Sequence, residues 1–184
     1  MTSTLSTTSA SVRALSHALD QFGDLLEHVH PDDLGRPTPC ADWTVAELVG
    51  HVTGGVRKFT AVAHGEQADW TVPPEPVTHE WTSDFRNAAD DLLHAWHQAG
   101  EGAAAGAIDW QVAELAVHSW DLARATGQDT GSLDAEVAER ALAFVSRGLT
   151  LGNRGDAFAE EVLVPTDAPV QDRLAAFAGR DPST

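Results

Sequence analysis

Val12, Leu15, Leu19, Phe22, Leu26 and Val29 recur at alternating spacings of three and four. That is the apolar face of an α-helix of about five turns. Residues 2–9 are mostly Ser and Thr and offer no stripe to bury. Residues 1–9 are therefore expected to be a disordered N-terminal tail, and residues 10–184 a single domain. Pro31 and the run HPDDLGRPTPCAD form the first connection. Thr44 and Glu47 then fit a capping box, with Trp43 and Leu48 placed for a hydrophobic staple. The helix they open buries Val45, Leu48, Val49, Val52, Val56 and Phe59 and should end near Gly65. A long, Pro-interrupted loop follows, GEQADWTVPPEPVTHEW.

A third helix is predicted from about Ser83 to His97, with Phe85, Ala89, Leu92 and Trp96 inward. The Gly/Ala-rich stretch 100–107 reads as a loop. A fourth helix spans about Asp109 to Thr126 and stops at Gly127. A fifth runs from about Leu133 to Leu149, with Ser132 as its N-cap and Asp134 and Glu136 in its first turn. Val162–Val164 suits a short extended piece, and a last short helix lies between Pro169 and Gly179. Without a pair of strong strand signals, this pattern predicts an all-α protein. Its expected form is a four-helix bundle with an additional helix and a short C-terminal tail.

The fourth helix breaks the usual surface pattern. On a helical wheel, Glu114, His118 and Asp121 share one stripe, flanked by Leu115 and Leu122 on one side and by Trp110 and Val117 on the other. Charges normally lie opposite the apolar face. A stripe set among large apolar side chains points into the bundle, where carboxylates need partners or a metal. Glu114 and His118 stand four apart, about 6 Å along the axis, which suits two ligands of one cation. His51 of the second helix is the best candidate for a third. It stands near Gly54 and Gly55, residues that cost helix stability but let backbone or a ligand approach. The bland reading is that such Glu/His pairs also occur on exposed helices and that a lone His is often just packed.

Composition narrows the field. Eleven Lys+Arg against 28 Asp+Glu give a net charge of −17, and Lys58 is the only lysine. This excludes a nucleic-acid binder and disfavours anionic membrane. No apolar run reaches the ~20 residues that span a bilayer, and the first residues lack a secretory pattern, so the expected location is cytoplasmic. Cys40, the single cysteine, cannot form an internal disulfide. Its place before the capping box would lower its pKa, yet it has no evident base in sequence, and a packed or half-exposed thiol is the simpler reading. Arg57 and Lys58 could hold an anionic substrate or make surface ion pairs. Trp43, Trp110 and Trp120 are pocket wall or core. Asp121, one turn after His118, is placed to accept a hydrogen bond from a ligand imidazole.

The segments TPCADWTVAELVGHV (38–52) and AELAVHSWDLARATG (113–127) resemble the DinB-like metal-binding bundles, and within them the actinobacterial mycothiol-dependent maleylpyruvate isomerase branch. The C-terminal VPTDAPVQDRLAAFAGRDP (164–182) is similar to the tail of an uncharacterised subgroup of that branch. The resemblance implies a four-helix bundle holding one divalent metal, usually zinc, with nickel and manganese as alternatives. Its ligands would be His51, Glu114 and His118, and Glu114 is what distinguishes this branch. It further implies mycothiol as co-substrate, a small-molecule electrophile as the other substrate, and a homodimer as one state of assembly. The family's isomerases carry a small C-terminal domain where this chain has a short tail, which directs the expectation away from maleylpyruvate itself.

Three protein ligands leave a position open, as in catalytic zinc sites. The leading reading is a metal-dependent mycothiol S-transferase or thiol-dependent isomerase. The alternatives are a metal-dependent hydrolase and a non-catalytic metal-binding or stress-related bundle. A closed structural site would require Asp121 or Cys40 as a fourth ligand.

Overall fold

The computed structural model describes residues 2–40, 43–100, 105–150, 152, 154 and 158–183, with residues 2–8 described by their backbone. Among these, the chain forms α1 (Thr2–Glu27), α2 (Val45–Ala63), α3 (Trp81–Ala99), α4 (Ala105–Thr126), α5 (Ala135–Gly148) and α6 (Val170–Phe177), with 3₁₀ turns at Pro31–Asp33 and Thr130–Ser132. The protein is an all-helical bundle.

The predicted stripe of α1 is buried throughout, from Val12 to Val29. The helix itself reaches back to Thr2, into the stretch the sequence assigns to a tail. At the start of α2 the capping box forms as predicted. Glu47 N donates to Thr44 Oγ1 at 3.4 Å and Thr44 N donates to Glu47 Oε2 at 2.8 Å. Two further boundaries differ from the sequence reading. Helix α4 begins at Ala105, within the stretch read as a loop, because alanine favours helix even when glycine is interspersed. Helix α5 is capped by Asp134 rather than Ser132: the Asp134 carboxylate accepts from Glu136 N at 2.8 Å and Val137 N at 3.3 Å. Ser132 belongs instead to the preceding 3₁₀ turn. Val162–Val164 forms no strand, and Leu163 is exposed.

Helix α4 is the axis of the fold. It packs against α1, α2, α5 and α6, and its buried residues, from Ile108 to Ala125, cover every face. Helix α3 closes the bundle against α1 and α2, with Phe22 and Phe85 in ring contact at 4.9 Å. Of the polar stripe of α4, His118 and Asp121 are buried and Glu114 is half-buried.

The loop between α2 and α3 lies tightly on α2. Val77 N donates to Ala46 O at 3.1 Å. A Cβ at Gly50 would run into the Glu75 carbonyl, and one at Gly54 would stand 3.0 Å from the Pro74 side chain. Glycines in the middle of α2 are thus the condition for this loop to dock.

The chain end is also folded in. Gly179 N donates to Ala176 O at 3.0 Å and Arg180 N to Ala175 O at 2.9 Å, the paired bonds of a Schellman motif. Gly179 adopts φ 89° to make the turn, a conformation that a side chain disfavours. The turn sends Arg180 back toward α4, where Trp120 Nε1 also donates to Asp172 Oδ1 of α6 at 2.9 Å.

Candidate metal centre

Two helices bring the three predicted ligands together. His51 Nε2 lies 3.6 Å from Glu114 Oε2, and His118 Nε2 lies 3.5 Å from the same oxygen. One ligand atom from each of the three residues falls within 4.8 Å of the others. Two donors on one tetrahedral zinc stand roughly 3.3 Å apart, given bond lengths of about 2.0–2.2 Å. The donor set of two imidazoles and a carboxylate therefore fits a divalent ion with only small movements.

Each side chain is held from behind. The Trp43 ring lies 4.5 Å from the His51 ring, and the two imidazoles stand edge to face at 5.1 Å. Asp121 Oδ2 lies 3.1 Å from His118 Nδ1. An ionised carboxylate can only accept, so Nδ1 carries the proton and Nε2 is turned toward Glu114. Asp121 thus accepts a hydrogen bond from the His118 imidazole. Arg180, which the sequence reading overlooked, holds Asp121 in turn. Its Nε donates to Oδ1 at 3.1 Å and its Nη2 to Oδ2 at 3.0 Å.

Electrostatics follow from these contacts. Burial favours neutral His118, but the hydrogen bond to Asp121 and the contact with Glu114 outweigh it and raise its pKa to about 9. Burial works against the Glu114 and Asp121 carboxylates too. The neighbouring His118 and His51 hold the Glu114 carboxyl far below the usual range, and His118 and Arg180 hold Asp121 low. Cys40 departs from the sequence expectation. Burial first, and then the charge of Asp121, push its thiol up to about 11. Desolvation is the largest cause of the shift, and the thiol is not poised as a nucleophile. Its sulfur groups with His118 and Asp121 rather than with His51 and Glu114.

The triad forms part of the wall of a cavity of about 520 Å³, together with Pro39, Cys40, Trp110, Val117, Phe158 and Arg180. Trp43 and Trp110 line it as expected of pocket walls. Arg57 and Lys58 do not line it. Arg57 faces Asp84 at 3.8 Å on the surface. Lys58 Nζ donates to Val72 O at 2.7 Å and sits over the Trp70 ring. Their place on α2 beyond His51 turns Arg57 toward α3 and Lys58 toward the loop, rather than toward α4.

The signal for Arg180 was present but local. Gly179 marks a helix stop, and the next residue is the one a Schellman turn swings back against its own helix.

The sequence profile of the mycothiol maleylpyruvate isomerase N-terminal domain matches residues 15–123. This span contains His51, Glu114, His118 and Asp121 and ends before Arg180. Two proteins of Mycobacterium tuberculosis, uncharacterized protein Rv0738 and uncharacterized protein MT0763, from different strains, are each 35% identical to the chain over 181 residues, covering 91% of this chain and 96% of the relative. No solved structure gives a significant match. No helix among the described residues is long and apolar enough to cross a membrane.

Proposed function

Because the chain belongs to the mycothiol maleylpyruvate isomerase N-terminal domain family, we propose that His51, Glu114 and His118 hold one divalent ion, zinc by donor type, and that the protein is a mycothiol S-transferase or thiol-dependent isomerase. The observation that carries this reading is the convergence of the three ligand atoms on one point in the wall of a cavity large enough for a substrate. A structural zinc has four protein ligands, whereas a catalytic one keeps a position for water or substrate. Cys40 groups with His118 and Asp121 rather than with His51 and Glu114, and Asp121 is committed to His118 and Arg180. Neither is disposed to close the site.

When bound, the ion would hold an entering thiol as its thiolate, the nucleophilic form. The protein's own residues provide the rest. Asp121 keeps the His118 proton on Nδ1 and so leaves Nε2 for the ion. Trp43 limits rotation of the His51 ring. Pro39, Val117 and Phe158 make the cavity wall apolar, which strengthens charge interactions inside it. A thiolate adding to an unsaturated carbon forms a C–S bond. A transferase retains that adduct, and an isomerase permits rotation before expelling the thiol.

A hydrolase would require a general base facing the same position. Among the described residues lining the cavity, the carboxylate is that of Glu114, a ligand in this reading. Asp121 is fully buried behind His118.

The test is elemental mass spectrometry on tag-free protein, followed by mycothiol titration of the cobalt-substituted form. We expect one ion per chain, its loss in His118→Ala, and a sulfur-to-cobalt absorption band on adding mycothiol. Thiol-dependent turnover that survives complete metal removal overturns the reading.

A further inference from the structure

A second, smaller chamber meets the opposite side of the ligand triad. Its volume is about 220 Å³, and His51, Glu114 and His118 belong to its wall as well. The remaining surface comes chiefly from Val52, Val56, Phe59, Trp70, Leu92 and Leu115. The docked loop supplies Trp70, whose ring meets Phe59 edge to face at 5.0 Å. The Gln111 amide of the wall is already engaged. Its Nε2 donates to Ala107 O at 3.1 Å, and its Oε1 accepts from Trp96 Nε1 at 3.3 Å. Apart from the triad and the indole N–H groups of Trp70 and Trp110, the chamber wall is apolar or already hydrogen-bonded, and neither indole carries charge.

Beyond the triad, neither chamber offers a free lysine or arginine. Among the described lining residues, Arg180 is the one Lys or Arg, and its guanidinium is bound to Asp121 and to Ala178 O. A carboxylate seated in the body of the small chamber, away from the triad, would lose its hydration and find no counter-charge there. An uncharged hydrocarbon body would gain by burial there. An apolar cavity of about 150 Å³ accommodates benzene, so this one has room for a single substituted ring.

We propose that the small chamber seats the apolar body of an uncharged, ring-sized electrophile, with its reactive carbon toward the triad. The larger cavity then takes the thiol. This assignment rests on the thiol-transfer reading above. For an aryl epoxide, the thiolate sulfur supplies both electrons of the new C–S bond. The C–O bond breaks, its electron pair stays on oxygen, and that oxygen takes a proton from water, giving a hydroxy thioether.

Gly55 provides the test. It lines the chamber, and a Cβ there meets nothing within 4 Å. Gly55→Leu should fill the space without disturbing the triad. Trp70→Ala removes one wall from an exposed loop position, where the fold does not depend on it. Toluene and benzoate are compared by ligand-observed NMR on metal-free protein. We expect toluene to bind, at least tenfold more weakly in Gly55→Leu and several-fold more weakly in Trp70→Ala, with benzoate bound at least tenfold more weakly than toluene in the parent. Helix content and zinc content should match the parent. Toluene binding unchanged in both variants, or benzoate bound as tightly as toluene, overturns the proposal. In zinc-loaded protein with mycothiol, kcat/KM for styrene oxide should exceed that for maleate at least tenfold and fall at least tenfold in Gly55→Leu. The cobalt–thiol band should persist in that variant. If toluene binds as expected but the parent's cobalt form gives no thiol band, the apolar site stands and its role as electrophile seat is overturned together with the thiol reading.

Discussion

Arg180 and Asp121 form a two-point ion pair with both side chains out of solvent, Nε to Oδ1 at 3.1 Å and Nη2 to Oδ2 at 3.0 Å. The pair joins the chain's C-terminal turn to the middle of α4, one contact behind a candidate metal ligand. Removing one partner leaves the other charged and buried, which costs about 3–5 kcal/mol. Arg180→Met should therefore lower the melting temperature by roughly 6–20 °C at the ~2–4 °C per kcal/mol typical of this chain length. The double variant Arg180→Met/Asp121→Leu, melted in the metal-free state, should recover part of the loss because it leaves no orphaned charge. A single-variant melt within 2 °C of the parent would show that the pair contributes little.

Asp121 fixes the His118 proton on Nδ1. Asp121→Asn keeps the shape of the side chain and removes the charge. Replacement of such an orienting carboxylate weakens metal binding by about 10–100-fold. A zinc competition titration with a chromophoric chelator should report that loss, while His51→Ala and His118→Ala, which remove ligands outright, should show larger ones. An unchanged zinc affinity in Asp121→Asn would remove Asp121 from the site's support.

The pH response should change sign with metal. In the metal-free protein, the His118 pKa is raised to about 9, against an ordinary value near 6.5. The protonated form is thus favoured by folding. Its stabilisation is complete below about pH 6.5 and is lost as pH rises through about 9. Glu114 and Asp121, held low, contribute stability above the ordinary carboxylate range and lose it as pH falls through their folded-state values. Zinc must displace the proton from His118, so its affinity rises with pH over the same interval. Thermal melts between pH 6 and 9.5, with chelator and with excess zinc, should diverge as pH rises. Parallel curves would contradict the coupling.

These relationships were unequally visible in the sequence. The capping box of α2 and the polar stripe of α4 depend on spacings within one helix, so Thr44, Glu47, Glu114, His118 and Asp121 could be placed by periodicity. His51 could be paired with them because the capping box fixes the start of its helix. Arg180 could not, because its contact with Asp121 bridges 59 residues through a turn whose direction depends on the packing of α6. Cys40 shows the opposite error. Nearness in sequence to a helix start suggested a low pKa, whereas desolvation, a property of the folded interior, moves it upward. Arg57 and Lys58 are basic and close to His51 in sequence, but the docked loop and Asp84, which engage them, become neighbours only in the fold. The small chamber was hidden for the same reason, since Trp70 reaches it from a loop without periodicity.

The glycines of α2 separate backbone propensity from tertiary approach. Alanine at Gly55 meets nothing within 4 Å and should stabilise the helix by up to about 1 kcal/mol. Alanine at Gly50 gains the same propensity but drives its Cβ into the Glu75 carbonyl, backbone that cannot rotate away. The loop must then lift from α2, breaking the Val77 N to Ala46 O bond and moving Trp70 off Phe59. Gly50→Ala should therefore melt below the parent, despite its better helix former, and bind toluene several-fold more weakly. Gly55→Ala should melt at or above the parent. Amide exchange at Val77 distinguishes the mechanisms: it should quicken in Gly50→Ala and stay slow in Gly55→Ala. Equal protection in the two variants would mean that the loop is held by something other than the close approach these glycines permit.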